Sequence, residues 1–277
     1  TDRKKSDGTD SGKRKSLGQS EVVRCGKERG TAGGRNDRGS RIKKTYSDVS
    51  NAVLRAQTDY GVVGDNSVLF DPNNTSIETA EKFVKYFNGA KLCKSKTERG
   101  CAQYYYDIKF ATTKVDAGSG QTVVDTANYP KIILNSGAVL AVYQYNNPDC
   151  YKMQTDVATD EYGRPIKNPD GTNQTITWEN TRCALIRMDV NGLKNPNQFG
   201  YDIFRFYVTK YGLQPYGLES DTSYTFKDNC SGSSNGYGCT AWVILKSNMD
   251  YLHCKDLDWN GKDRCIGFKN SKYDSSL

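Results

Sequence analysis

Nine cysteines and a single histidine bound the chemistry open to this 277-residue chain. Three cysteine pairs are close in sequence, Cys93/Cys101, Cys230/Cys239 and Cys254/Cys265, each separated by a short polar loop. That spacing predicts local disulfides, each stabilising by about 2–4 kcal/mol through restriction of the unfolded chain. Cys150 and Cys183 then pair across a long insertion, an assignment that rests on proximity alone. Cys25 stands apart. Zinc is the competing reading, but there is no C-x2-C spacing, and His253 is the only imidazole. Disulfides place the body in an oxidising compartment. Nucleophilic catalysis by a Ser-His or Cys-His pair has only His253, beside Cys254 in a polar stretch, and an exposed incidental side chain is the simpler reading. Neither a G-x-S-x-G elbow nor a phosphate-cradling glycine loop occurs. The densest oxygen-rich segment is Asp189–Asp202. Asp189, Asn191, Asn197 and Asp202 form a candidate Ca²⁺ set, weighed against a hydrogen-bonded Asx-rich turn with glycine at positive φ; EF-hand spacing is absent, which favours the turn. No other cofactor is expected. Tyrosine is abundant, with 19 copies including Tyr104, Tyr105 and Tyr106. Such side chains bind sugars or partners, and equally suit strands.

These residues need elements to position them. Ile42, Tyr46, Val49, Val53, Ala56 and Tyr60 recur at alternating steps of four and three, one apolar stripe on a helix of about 20 residues. Gly61 is its expected stop. A second helix is predicted from Ser76 to Asn88. Thr75 and Glu78 form a capping box, and Ile77, Ala80, Phe83, Val84 and Phe87 line one face. The later signals are β. Lys131–Leu134 and Ala138–Tyr145 flank Asn135-Ser136-Gly137 as a hairpin. Residues 146–180 read as a polar insertion loop. Arg182–Val190 and Tyr201–Thr209 read as strands, and Leu213–Tyr216 as a short one after a turn at Lys210-Tyr211-Gly212. Residues 217–238 read as loop. Cys239–Leu245 is ambiguous, with Thr240 a candidate cap for a short helix. Helices followed by runs of strands indicate an α+β fold: an N-terminal amphipathic helix packed on an antiparallel sheet with disulfide-stapled loops.

Hydrophobic residues make up 36% of the chain, and the deficit is concentrated in one segment. Residues 1–42 carry 12 Lys and Arg against 6 Asp and Glu, whereas the rest carries 27 against 26. The excess of positive charge therefore belongs to the beginning of the chain, and the body is almost neutral. A nucleic-acid-binding body needs its own basic face, so no nucleic-acid partner is expected. Residues 1–40 read as a polar, basic, disordered tail, 41–265 as one domain and 266–277 as a flexible end. No run reaches the roughly 18 apolar residues of a membrane helix, and no secretory signal is visible near the start.

The segment Ile42–Leu54 (IKKTYSDVSNAVL) resembles the part of the first helix that follows the membrane-spanning half in type IV pilin-like proteins. More narrowly it resembles the bacterial pilin-like and type II secretion pseudopilin-like proteins that carry a prepilin leader. Other segments are similar to that group: Leu134-Asn135-Ser136-Gly137; Asp189-Val190-Asn191-Gly192 with Pro196-Asn197, Gly200 and Asp202-Ile203-Phe204; Gly212, Pro215 and Gly217; Gly238-Cys239-Thr240-Ala241-Trp242-Val243-Ile244; and Asn248-Met249-Asp250-Tyr251. The similarity covers roughly residues 40–255. Its most specific parts are the Asp-Val-Asn-Gly and Gly-Cys-Thr-Ala-Trp blocks.

The resemblance implies a helix packed on an antiparallel sheet with variable disulfide-bonded loops, and a non-enzymatic subunit of a type IV pilus or type II secretion pseudopilus. Its partners are then other pilin or pseudopilin subunits, met through the helix Ile42–Tyr60. The inner membrane is met only through an apolar first half-helix. Upstream of Ile42 this chain has a basic polar sequence where the family has a leader, a Glu and an apolar run. Three origins are weighed for it: a fragmentary or frame-shifted gene reading, ranked first, an artificial replacement, or a genuine divergent tail. The expected location is extracytoplasmic, at the cell surface or in the periplasm, and cytosolic with reduced thiols only if the tail is genuine. Loops 146–180 and 217–238 are expected to carry contacts to neighbours or cargo. The alternatives are a secreted disulfide-stabilised binding module, adhesin or lectin-like, and a hydrolase with an unrecognised site.

Overall fold

The computed structural model describes residues 33–111, 123–124, 129–145, 152–230 and 234–265. Within them the chain is α+β, with an antiparallel sheet and three disulfides. Four helices occur: α1 (Gly33–Tyr60), α2 (Ser76–Phe83), α3 (Phe226–Asn229) and α4 (Thr240–Lys246). The strands are β1 (Lys91–Cys93), β2 (Ile108–Lys109), β3 (Val123–Val124), β4 (Lys131–Ile133), β5 (Val139–Gln144), β6 (Lys152–Val157), β7 (Thr175–Asn180), β8 (Arg182–Asp189), β9 (Ile203–Thr209) and β10 (Leu213–Pro215). Six of them form one antiparallel sheet in the order β1-β4-β5-β8-β9-β10, while β2–β3 and β6–β7 are separate two-stranded ribbons.

The apolar stripe does what its spacing requires. Ile42, Val49, Val53 and Ala56 are buried, and Tyr46 is half-buried with its ring edge-on to Phe206 at 5.5 Å. Tyr60 departs from the expected stripe. It is the last helical residue and remains 39% exposed. Ala52 joins the buried face in addition, as does Gln57, whose amide is satisfied by Asn66 (2.7 Å) and by the Gly64 N–H (3.0 Å). Asn66 in turn donates to the Thr209 carbonyl at 2.8 Å, which ties the end of α1 to the end of β9. α1 also begins earlier than its apolar pattern, so residues 33–40 of the expected tail belong to the helix; the rest of that tail and the flexible end lie outside the described residues.

α2 starts on its capping box: Thr75 Oγ1 accepts from the Glu78 N–H at 3.2 Å, and Glu78 accepts from the Thr75 N–H at 2.7 Å. It is shorter than its sequence suggests. The α-turns stop at Phe83 and a 3₁₀ turn, Val84–Tyr86, follows, and Phe87 lands edge-on against Phe83 at 4.9 Å. A buried glutamine joins α2 to the sheet. Gln144 accepts from Thr79 Oγ1 (2.9 Å) and donates to the Cys183 carbonyl (2.9 Å), so its amide does not go underground unpaired.

Alternation along β8 and β9 sends Ala184, Ile186, Met188, Phe204, Phe206 and Val208 into the core beneath α1, α2 and α4. α4 settles the ambiguous segment as helix. Trp242 is fully buried, stacks on Phe226 at 4.1 Å and donates its indole N–H to Asn248 at 2.9 Å. Thr240 does not cap this helix; its hydroxyl accepts the Arg205 N–H at 3.0 Å and pins α4 to β9.

Residues 152–180 overturn the insertion-loop reading. They form the ribbon β6–β7, paired from Lys152↔Asn180 to Val157↔Thr175. Its turns are held by Asp160, which accepts from the Tyr162 and Arg164 N–H groups, and by Asp170, which accepts from Thr172. The disulfides Cys93–Cys101, Cys230–Cys239 and Cys254–Cys265 close local loops with Cα separations of 5.6, 4.8 and 5.8 Å. Cys150 and Cys25 lie outside the described residues.

The core account carries a measurable cost. Phe206→Ala empties a fully buried site between α1 and β9. Denaturant unfolding of this variant is expected to show a loss of about 3–5 kcal/mol.

Candidate functional site

The face of the sheet turned away from α1 holds the residues with chemical interest. Strand register arranges them in rows. Lys131, Ala141, Arg187 and Arg205 are successive partners across β4, β5, β8 and β9. One row over, Tyr143, Leu185 and Tyr207 align; on the other side lie Ile133, Val139, Asp189 and Ile203. Three cations, a row of tyrosines and a carboxylate thus share a face that is buried: Lys131, Arg187 and Arg205 are at most 8% exposed.

Aromatic rings cover the charges. The Arg205 guanidinium lies 4.0 Å from the Tyr237 ring centroid, 4.7 Å from Tyr216 and 5.5 Å from Tyr224. Arg187 lies 4.8 Å from Tyr129, and Arg182 lies 4.4 Å from Tyr207. Each desolvated contact of this kind is worth about 0.5–2 kcal/mol. Arg187 Nε and Nη1 and Arg205 Nε lack a hydrogen-bond acceptor among the described residues, so ring faces supply much of the compensation. Burial, and then the charge of Arg205, push the Arg187 guanidinium below its ordinary range. Burial also raises the hydroxyls of Tyr145, Tyr207 and Tyr216.

The Asp189–Asp202 segment folds as the Asx-rich turn that competed with the cation site. Asp189 Oδ1 accepts from the N–H groups of Asn191 (3.0 Å) and Gly192 (2.7 Å), and Oδ2 accepts from Tyr106 (2.5 Å). Asp202 Oδ1 accepts from the Gln198 N–H (2.6 Å). Its Oδ2 accepts from the Asn197 N–H (3.1 Å) and the Asn191 amide (3.2 Å). Asn197 turns its own amide toward the carbonyls of Gly192 and Lys194. Four of the six donors are backbone N–H groups. The residues therefore do not fit Ca²⁺, which needs six to eight oxygen ligands around one point; each carboxylate oxygen here faces a hydrogen atom. Gly192 has φ +63°, and a Cβ there would sit 2.2 Å from the Gly137 carbonyl, so the loop lies flush against the β4–β5 turn.

Burial drives the Asp189 carboxyl up to about 7, against the lowering effect of the Tyr106 hydrogen bond, and raises Asp202 as well. A carboxyl near neutrality in an enclosed place is a candidate acid or base. The cavity beside it argues against a substrate. Lined by Tyr104, Tyr106, Lys131, Val139, Arg187 and Asp189, it measures about 10 Å³, room for one water-sized group, whereas ligand pockets run to about 300–1,000 Å³.

Two other sets are disposed of by their bonding. Cys93, Glu98 and Cys101 lie close enough to hold a metal, but both sulfurs are spent in a disulfide. His253 is exposed, and Cys254 is bonded to Cys265, so a Cys-His pair has no thiolate. A larger groove, about 250 Å³, lies between α1 and the β4–β5 turn, lined by Lys44, Asp48, Asn51, Arg55, Phe87 and Asn135. The covered arginine row was not legible as a site in the sequence; only the count of tyrosines hinted at it. No family model, curated protein or solved structure matches the chain.

The raised Asp189 carboxyl sets a pH dependence. Its protonated form is favoured in the fold, so its contribution is full below the unfolded value of about 4 and is lost as pH rises toward about 7. Asp189→Asn, which cannot ionise, is expected to flatten the fall in melting temperature between those limits. An unchanged slope in thermal unfolding would show that the carboxyl is not held neutral.

Proposed function

We propose that this chain is a pilin-like, non-catalytic structural subunit of an extracytoplasmic filament of the type IV pilus or type II secretion pseudopilus kind. The observation that carries this reading is the order and packing of its elements. A 28-residue helix comes first and lays its apolar stripe on an antiparallel sheet, and disulfide-bonded loops follow. That is the arrangement which the resemblance of Ile42–Leu54 and of the Asp189–Gly192 and Gly238–Ile244 blocks implies. Two residues of those blocks have structural positions in this fold: Asp189 anchors a turn, and Trp242 fills the core.

Three further features support it. The disulfides are compatible with an extracytoplasmic location. Among the described residues, the cavity beside the perturbed carboxyl measures about 10 Å³, too small for a substrate. Arg41, Ser47 and Leu54 are exposed on α1, with Leu54 at 53%, which leaves part of the helix surface for neighbouring subunits. No helix among the described residues is long and apolar enough to cross a membrane.

A second reading has one observation of its own. The 250 Å³ groove beside α1 combines amide, carboxylate and guanidinium groups with the Phe87 ring, a lining suited to a polyhydroxyl ligand. It favours a secreted lectin-like binding module.

The two readings separate in one experiment. A cysteine placed at Leu54 is expected to cross-link adjacent copies in filaments sheared from expressing cells, giving a covalent dimer band on non-reducing gels that the wild type lacks. A strictly monomeric secreted protein that scores on a glycan array would favour the groove reading and overturn the filament one.

A further inference from the structure

The ribbon β6–β7 poses a problem that the rest of the fold does not solve. Five consecutive residues of β7, Thr175 to Glu179, are exposed, with Ile176 at 55% and Trp178 at 37%. A two-stranded ribbon alone is marginal in water, and this one shows solvent both faces and a long edge.

We infer that β7 is a pairing edge, through which two copies of this chain join as antiparallel strands about a two-fold axis at Thr177. The backbone is arranged for it. The Ala158 N–H donates to the Gln174 carbonyl at 2.8 Å, in register with the ribbon. Alternation of antiparallel bonding then turns the N–H and C=O groups of Thr175, Thr177 and Glu179 outward. β7 carries no proline, lysine or bulge, its one charge is Glu179 at the strand end, and its Thr-Ile-Thr-Trp run is strongly strand-forming.

The side chains choose the partner. With Thr177 opposite Thr177 of the second copy, Ile176 faces Trp178 and Thr175 faces Glu179, so no like charges meet, either directly or diagonally. Trp178 is already oriented by its bond to Asp156 at 2.6 Å, which presents its ring beside Ile176 on one face. The same construction on β6 about Thr155 sets Asp156 diagonal to Asp156 of the other copy. A strand that is complementary to itself in this register selects a second copy of the chain. Because a two-fold contact closes on itself, the product is a discrete dimer. This inference stands independently of the filament reading.

Sedimentation of the full chain tests it. The wild type is expected to dimerise with concentration. T177K and T177E each place like charges face to face across the axis, and each is expected to weaken the dimer at least tenfold while leaving the melting temperature unchanged. An equimolar mixture of the two is expected to restore it as a heterodimer. T155K, on the other edge, is expected to leave dimerisation unaltered. T177P, whose lost N–H points outward, gives the same loss without a charge. A wild type monomeric throughout its soluble range, open fibres in place of dimers, failure of the mixture to recover, or equal loss in T155K would each overturn the pairing.

Discussion

Two adjacent strands with no solvent face govern this molecule. Every residue of β9 is buried, as is all of β8 but its first. An antiparallel sheet commonly keeps one face wet, and its sequence then alternates apolar with polar. Here both faces must be covered, and the two coverings use different physics. Beneath α1 the cover is aliphatic and aromatic packing: Ile186, Met188, Phe204 and Phe206 meet the stripe of the helix. On the other face the strands carry Arg187, Asp189, Arg205 and Tyr207, which reach burial only because rings lie over the guanidinium groups and because N–H and O–H donors surround the carboxylate. Leaving the guanidinium groups uncovered at this depth would cost several kcal/mol.

That constraint explains why the motif-like blocks look chemical and act structurally. The Asp189–Asp202 loop bends from β8 to β9 with both carboxyl groups turned inward onto backbone N–H groups. The Gly238–Ile244 block gives the other half of the seam. Gly217 has φ +86°, and a Cβ there would meet the Gly238 carbonyl at 1.7 Å, so two loops cross where no side chain fits. Thr240 then hydrogen-bonds β9, and Trp242 closes the core from the helix side. Disulfides fix the loops that border this seam, and the ribbon β6–β7 stands outside it.

Much of this was readable before any coordinates. The capping box of Thr75 and Glu78, the stripe of α1, the β4–β5 hairpin and the three short disulfide loops follow from local rules that act over a few residues. Three things were hidden. The strands of the ribbon β6–β7 each alternate, but Met153 and Val157 fall on the face opposite to Ile176 and Trp178, so neither face is apolar throughout, and the many Asn, Asp, Pro and Gly residues around them made the segment read as a loop. Tyr60 continues the stripe by spacing, yet it is the terminal residue of the helix and stays exposed. Arg187 and Arg205 are 18 positions apart in sequence, and only strand register sets them side by side. The choice between a cation site and a turn at Asp189 and Asp202 was decided by where the N–H groups point, and composition carries no such information.

Native-state hydrogen exchange tests the doubly covered seam most directly. Amides of β8 and β9 are expected to exchange only through global unfolding, with the same free energy and the same denaturant dependence as the whole domain, while those of β6 and β7 exchange through small local openings. Seam amides that exchange as fast as the ribbon, with no denaturant dependence, would contradict the account.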